Sequence, residues 1–134
     1  LSQTLNSDFN IETKENKSSK YIADFPELCS MFDNDDNSIT NILKIFVETT
    51  SDNLVALNEI ISSNNFNDAV SLCHKMCPMF AQLNQKESSE FLYKMDRLRG
   101  SDATSFPEWK EKSIEFMNNV DGFISYLSET YDIE

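Results

Sequence analysis

The run Phe66-Asn67-Asp68-Ala69-Val70-Ser71-Leu72-Cys73-His74-Lys75-Met76-Cys77-Pro78-Met79-Phe80-Ala81-Gln82-Leu83 decides the fold class. Phe66, Ala69, Cys73, Met76, Phe80 and Leu83 recur at three- and four-residue intervals, the spacing of one helix face. This predicts a helix over about 66–84. Asn65 stands where an N-cap belongs, and Asp68 three residues on resembles a capping box.

The same spacing continues in both directions. Upstream, Ile39, Leu43, Phe46, Thr50, Leu57 and Ile60 form a stripe widened by Ile42, Leu54 and Ile61, predicting a helix over about 37–62. Ser62-Ser63-Asn64-Asn65 is the turn after it. Phe25, Leu28, Cys29 and Phe32 mark a short helix near 24–33, with Pro26 in its first turn. Asp33 to Asn37 should stop it and offer caps for the next helix. Downstream, Phe91, Leu92, Met95 and Leu98 mark a helix over about 87–99, with Gly100 at a left-handed C-terminal position. Phe106-Pro107-Glu108 opens a last helix whose inward face is Trp109, Phe116, Val120, Phe123, Leu127 and Tyr131. No segment alternates like a strand. The expected fold is all-α, an antiparallel four-helix bundle with a short extra N-terminal helix over 21–134, its helices packed near about +20°. Residues 1–20 are polar and unpatterned and read as a linker or flexible tail.

Composition narrows the function. The chain has 134 residues, enough for one domain with a core. Eleven Lys and Arg against 23 Asp and Glu give a net charge of −12. Such a chain repels phosphate backbones and anionic lipid, so neither nucleic acid nor a membrane surface is an expected partner. Two glycines cannot build a Gly-rich phosphate loop, which argues against a self-sufficient nucleotide enzyme. The longest apolar stretch, Ile42 to Val47, is interrupted by Lys44, far short of a membrane span. No secretory signal is visible. The start at Leu1 rather than Met suggests a piece of something longer. Three cysteines without disulfide-like spacing suggest reduced thiols.

The one histidine is His74. With Cys73 at the centre of the helix face and a step of about 100° per residue, His74 falls about 100° away, on the shoulder of the apolar stripe. Val70, Ser71, Cys77, Pro78 and Ala81 surround it there, mostly small or apolar, a rim that another protein could approach. Charge is distributed around it. Residues 21–62 carry eight acids and one lysine, residues 101–134 eight acids and two lysines, but residues 63–100 four acids and five bases. A net +1 segment in so acidic a chain suits a group that holds a phosphoryl or meets an acidic partner. By themselves a shoulder histidine and scattered bases are ordinary surface. Cys73 and Cys77 are small buried apolars rather than metal ligands, and no metal is expected.

The phrase His74-Lys75-Met76-Cys77-Pro78-Met79-Phe80-Ala81-Gln82-Leu83, with Phe46-Val47-Glu48-Thr49-Thr50, Asn53-Leu54 and Leu57 before it, resembles a histidine-containing phosphotransfer (HPt) domain. The likeness is to the form found in bacterial hybrid two-component sensor histidine kinases, and it covers roughly 24–130. The family pattern has lysine three residues after the histidine and glycine four after. Here Cys77 and Pro78 stand there. A histidine-kinase dimerisation helix fits less well, because its phrase carries Glu after His and Pro five residues on.

The resemblance implies a phosphocarrier rather than an enzyme with its own ATP site. His74 would take a phosphoryl group from a receiver-domain aspartate and pass it to another receiver. Lys75 would support the phosphate, and Val70, Ser71, Cys77, Pro78 and Ala81 would dock the receiver. The chain itself would need no cofactor, since Mg²⁺ belongs to the receiver. It further implies a cytoplasmic domain, monomeric in isolation, within a membrane-anchored sensor. The chemistry is compatible, because an imidazole titrating near about 6.5 is largely neutral and nucleophilic at pH 7, and phosphoryl transfer depends chiefly on positioning and charge neutralisation. The rival expectation is an acidic helical adaptor that binds a partner without phosphotransfer.

Overall fold

The computed structural model describes residues 18–134. The described residues form helices and no strands: α1 Pro26–Met31, α2 Asp36–Ser62, α3 Phe66–Gln82, α4 Lys86–Asp96 and α5 Trp109–Tyr131, with a single 3₁₀ turn at Ala103–Ser105 before α5. The all-α class read from the helical spacing is the class observed. The tail expected over 1–20 lies mostly outside the described residues. The chain divides into two compact units, one ending at Ile39 and one running Thr40–Glu134, so the boundary falls inside α2.

In the first unit, Tyr21, Phe25, Leu28, Cys29 and Ile39 are buried, and the rings of Tyr21 and Phe25 lie 6.3 Å apart. Pro26 occupies the first turn of α1, where a missing N–H leaves nothing unpaired. α1 is shorter than its sequence pattern because Asp33 and Asn34 adopt positive φ, 53° and 59°. The Asn34 N–H then closes on the Cys29 carbonyl at 2.8 Å and ends the helix. Ser19 is buried, and its hydroxyl donates to the Asp36 carboxylate and accepts the Tyr21 N–H. Asp35 starts α2: its carboxylate accepts the Asn37 N–H at 3.2 Å and the Ser38 hydroxyl at 2.8 Å.

In the second unit the stripes face inward as the spacing requires. Leu43, Phe46, Thr50 and Leu57 of α2 are buried, as are Phe66, Ala69, Cys73, Met76 and Phe80 of α3. Leu92 and Met95 of α4 and Trp109, Phe116, Val120 and Leu127 of α5 complete the core. Aromatic rings join all four helices. Phe46 meets Phe80 at 5.1 Å and Phe123 at 5.7 Å, Phe80 meets Phe116 at 5.6 Å, and Phe91 stacks on Phe116 at 5.0 Å. Of these, the buried Phe46, Phe80 and Phe116 each remove enough apolar surface from water to contribute about 1.5–3 kcal/mol. The Phe66–Trp109 pair at 5.5 Å ties the start of α3 to the start of α5.

The helix ends have local causes. The Asn65 side chain accepts the Asp68 N–H at 3.1 Å, the expected N-cap, and donates to the Asp68 carboxylate at 2.8 Å; the Asn65 N–H bonds the Ile60 carbonyl instead, so the capping box is half formed. Asn64 and Asn84 take left-handed φ of 60° and 62° after α2 and α3. α3 therefore stops at Gln82, and only Leu83, Asn84 and Gln85 connect it to α4. α4 ends at Asp96, three residues before its expected end, because the chain tightens: the Leu98 and Arg99 N–H groups bond Met95 and Asp96, three residues back. Gly100, at φ 85°, completes the reversal.

Candidate functional site

His74 sits in the middle of α3, where the spacing put it, and its side chain is 59% exposed. Its ring Nδ1 lies 2.8 Å from Oδ1 of Asp96, at the last residue of α4. That is the one hydrogen bond of the imidazole among the described residues, and it is made by Nδ1, which leaves Nε2 without a partner among them. A carboxylate on Nδ1 fixes the proton there and the lone pair on Nε2 when the ring is neutral. Arg99 joins from the turn after α4, its Nη2 3.3 Å from the same Oδ1. The backbone turn explains that reach, since the Arg99 N–H already bonds the Asp96 carbonyl at 3.2 Å.

Asp96 is 27% exposed. Partial desolvation opposes its ionisation, but the hydrogen bonds from His74 and Arg99 and the charges behind them outweigh it, and the carboxyl lies below its ordinary range. The two thiols beside it behave oppositely. Burial pushes Cys73 up to about 12, helped by Cys77 and Asp96. Cys77, half-buried one turn after His74, is also raised, by desolvation first and Asp96 second. Both therefore stay neutral thiols near pH 7. All three cysteines are free. Among the described residues no group of three or more His, Cys, Asp and Glu side chains could hold a metal ion.

The other residues singled out by sequence divide into two sets. Ser71, Pro78 and Ala81 are exposed and Cys77 half-buried, on the same helix as His74. Val70 is not part of that surface. It is 3% exposed and packs inward with Ala69 and Cys73, because the buried face of α3 is broader than a stripe centred on Cys73 implies. Lys75 is exposed, but it lines a groove with Ile45, Thr49 and Asn53 of α2, one helical step around α3 from the Asp96 side. Pro78 leaves α3 unbroken from Phe66 to Gln82. Lacking an N–H, it cannot donate to the His74 carbonyl one turn back.

Asp96, which bonds His74, and Arg99, which bonds Asp96, are the neighbours that the sequence reading missed. A signal for Asp96 was present: counting outward from the turn at Asn84, positions 74 and 96 lie at similar distances on helices that fold back on each other. No helix of the described residues is long and apolar enough to cross a membrane. Comparison with family models, with curated proteins and with solved structures returns no match.

Proposed function

We propose that this chain is a phosphocarrier of the histidine-phosphotransfer kind, which accepts a phosphoryl group on Nε2 of His74 from a receiver-domain aspartate and hands it to another receiver. The observation that carries the reading is the exposed imidazole held at Nδ1 by Asp96. A neutral ring so held offers its Nε2 lone pair outward to an acyl phosphate. As the P–N bond forms, the ring gains positive charge, which the Asp96 carboxylate stabilises through the Nδ1–H. The aspartyl oxygen leaves as a carboxylate, and onward transfer reverses the same step. The bundle supplies a rigid helix for the nucleophile, and Ser71, Cys77, Pro78 and Ala81 offer a low-relief rim on which a receiver could dock. Mg²⁺ is assigned to the receiver. On this reading the domain is cytoplasmic, monomeric in isolation, and belongs to a hybrid sensor kinase.

The test is to mix the chain with phosphorylated receiver domains and Mg²⁺ and to read the product on phosphate-affinity gels or by mass spectrometry without acid. An acid-labile phosphoryl group on His74, absent from His74→Gln, is the expected result. Absence of transfer from every receiver of the source organism, with partner binding unaffected by His74→Gln, would replace the carrier by the adaptor.

A further inference from the structure

A phosphoryl group on Nε2 brings close to two negative charges to a site where Asp96 already places one. Some cation must compensate, and five bases lie between residues 63 and 100. Lys94 has its ammonium 4.0 Å above the Phe106 ring, and Arg97 lies 5.4 Å over the Tyr93 ring. Lys86 opens α4, ten residues and about 15 Å along the helix from Asp96. Lys75 lines the groove toward α2. Arg99 alone of the five makes a contact with the group that holds His74, and it is 54% exposed.

Resting on the carrier reading, we propose that Arg99 is the phosphoryl-holding cation of the site, parked on Asp96 while the imidazole is bare and bonded to the phosphoryl oxygens once Nε2 is loaded. A guanidinium presents five N–H donors in a planar fork that matches phosphate oxygens two at a time. Its bond to Asp96 uses Nη2, so its other N–H groups can meet a new anion. Asp96 keeps its partner in the loaded state, because phosphorylation at Nε2 leaves the Nδ1–H in place. Besides His74 and Arg99, the titratable groups that interact with Asp96 are the thiols of Cys73 and Cys77 on α3. Both thiols are neutral, so Asp96 is the anion that Arg99 must be drawn from.

Phosphoramidate tests this without a partner protein. In the loading step its P–N bond breaks as a P–N bond to Nε2 forms, and ammonia leaves, with no redox change. The whole chain, Arg99→Gln, Arg99→Lys and Lys86→Gln are loaded side by side. Loading rate is followed on phosphate-affinity gels, the ³¹P shift of the phosphohistidine by NMR, and folding by circular dichroism. The expected result is a roughly tenfold slower loading of Arg99→Gln with a moved ³¹P resonance, partial recovery in Arg99→Lys, and parent behaviour in Lys86→Gln, a factor of ten matching one charged hydrogen bond. Parent-like loading and resonance in Arg99→Gln, or an equal loss in Lys86→Gln, would overturn the inference and leave the carrier reading standing. A folded parent chain that gains no phosphoryl group on His74 overturns both.

Discussion

His74 and Asp96, 22 residues apart in sequence, meet at 2.8 Å through Nδ1 and Oδ1. The contact gives the two nitrogens of the ring different jobs, one held and one presented. Replacing Asp96 by Asn keeps the shape but removes the charge that favours a proton on Nδ1. On the proposed carrier reading, Asp96→Asn should therefore lower the rate of phosphoryl transfer from a receiver by about tenfold or more, the worth of one charge-assisted hydrogen bond. Quench-flow transfer assays check the rate. Imidazole ¹⁵N shifts check the cause, moving toward a mixture of tautomers in the variant.

The same carboxyl sets an acid limb to stability. Its folded pKa is depressed below the ordinary 3.8, so the unfolded chain takes up the proton first as pH falls. The stability it supplies is complete above 3.8 and is lost as pH drops through the depressed value. Asp102, held low by hydrogen bonds from Thr104, acts in the same direction. Urea midpoints measured from pH 5 to pH 2.5 should fall less steeply for Asp96→Asn than for the parent. Parallel curves would remove Asp96 from the acid limb.

The thiols make an opposite prediction at alkaline pH. Cys73 stays protonated in the folded chain up to about 12, whereas its ordinary value is 9.0. Its contribution to stability is fully present below 9.0 and is lost as pH rises toward 12. In the native protein at pH 8, a thiol reagent should modify half-buried Cys77 well before buried Cys73. Peptide mapping after timed labelling gives the order.

The aromatic cluster predicts the largest loss. Phe80 touches both Phe46 and Phe116, so Phe80→Ala should destabilise by about 3–5 kcal/mol through lost transfer energy and a cavity. Chemical denaturation measures it.

Ser113 predicts a gain. It is fully buried in α5, and its hydroxyl has no hydrogen-bond partner among the described residues. Ser113→Ala removes that unpaired group and raises helix propensity, for an expected gain of about 1 kcal/mol. A lower urea midpoint in the variant would show that the hydroxyl has a partner after all.

The helices were legible because their signal is periodic and local. Phe66, Ala69, Cys73, Met76 and Phe80 repeat at the helical spacing and are all buried, and Asn65 and Asp68 cap α3 through a three-residue pattern. Ends were less legible because they depend on single backbone angles, such as the positive φ of Asn34 and Asn84. His74 could be placed on a shoulder from one helix alone. Its partner needed the α3–α4 turn as well, since Asp96 and Arg99 come from another helix and the turn behind it, and a lone acid among bases looks the same whether solvated or engaged. Val70 was misplaced because its burial depends on what α3 packs against, which no single-helix projection contains.

The three-residue connection between α3 and α4 has a kinetic consequence. Bringing two helices together across so short a turn sacrifices little chain entropy, and contacts close in sequence form early in folding. Both partners of the His74–Asp96 pair ride on that hairpin. Loop-closure entropy therefore favours setting the imidazole's orientation ahead of the longer-range closure that brings Phe46 and Phe123 together.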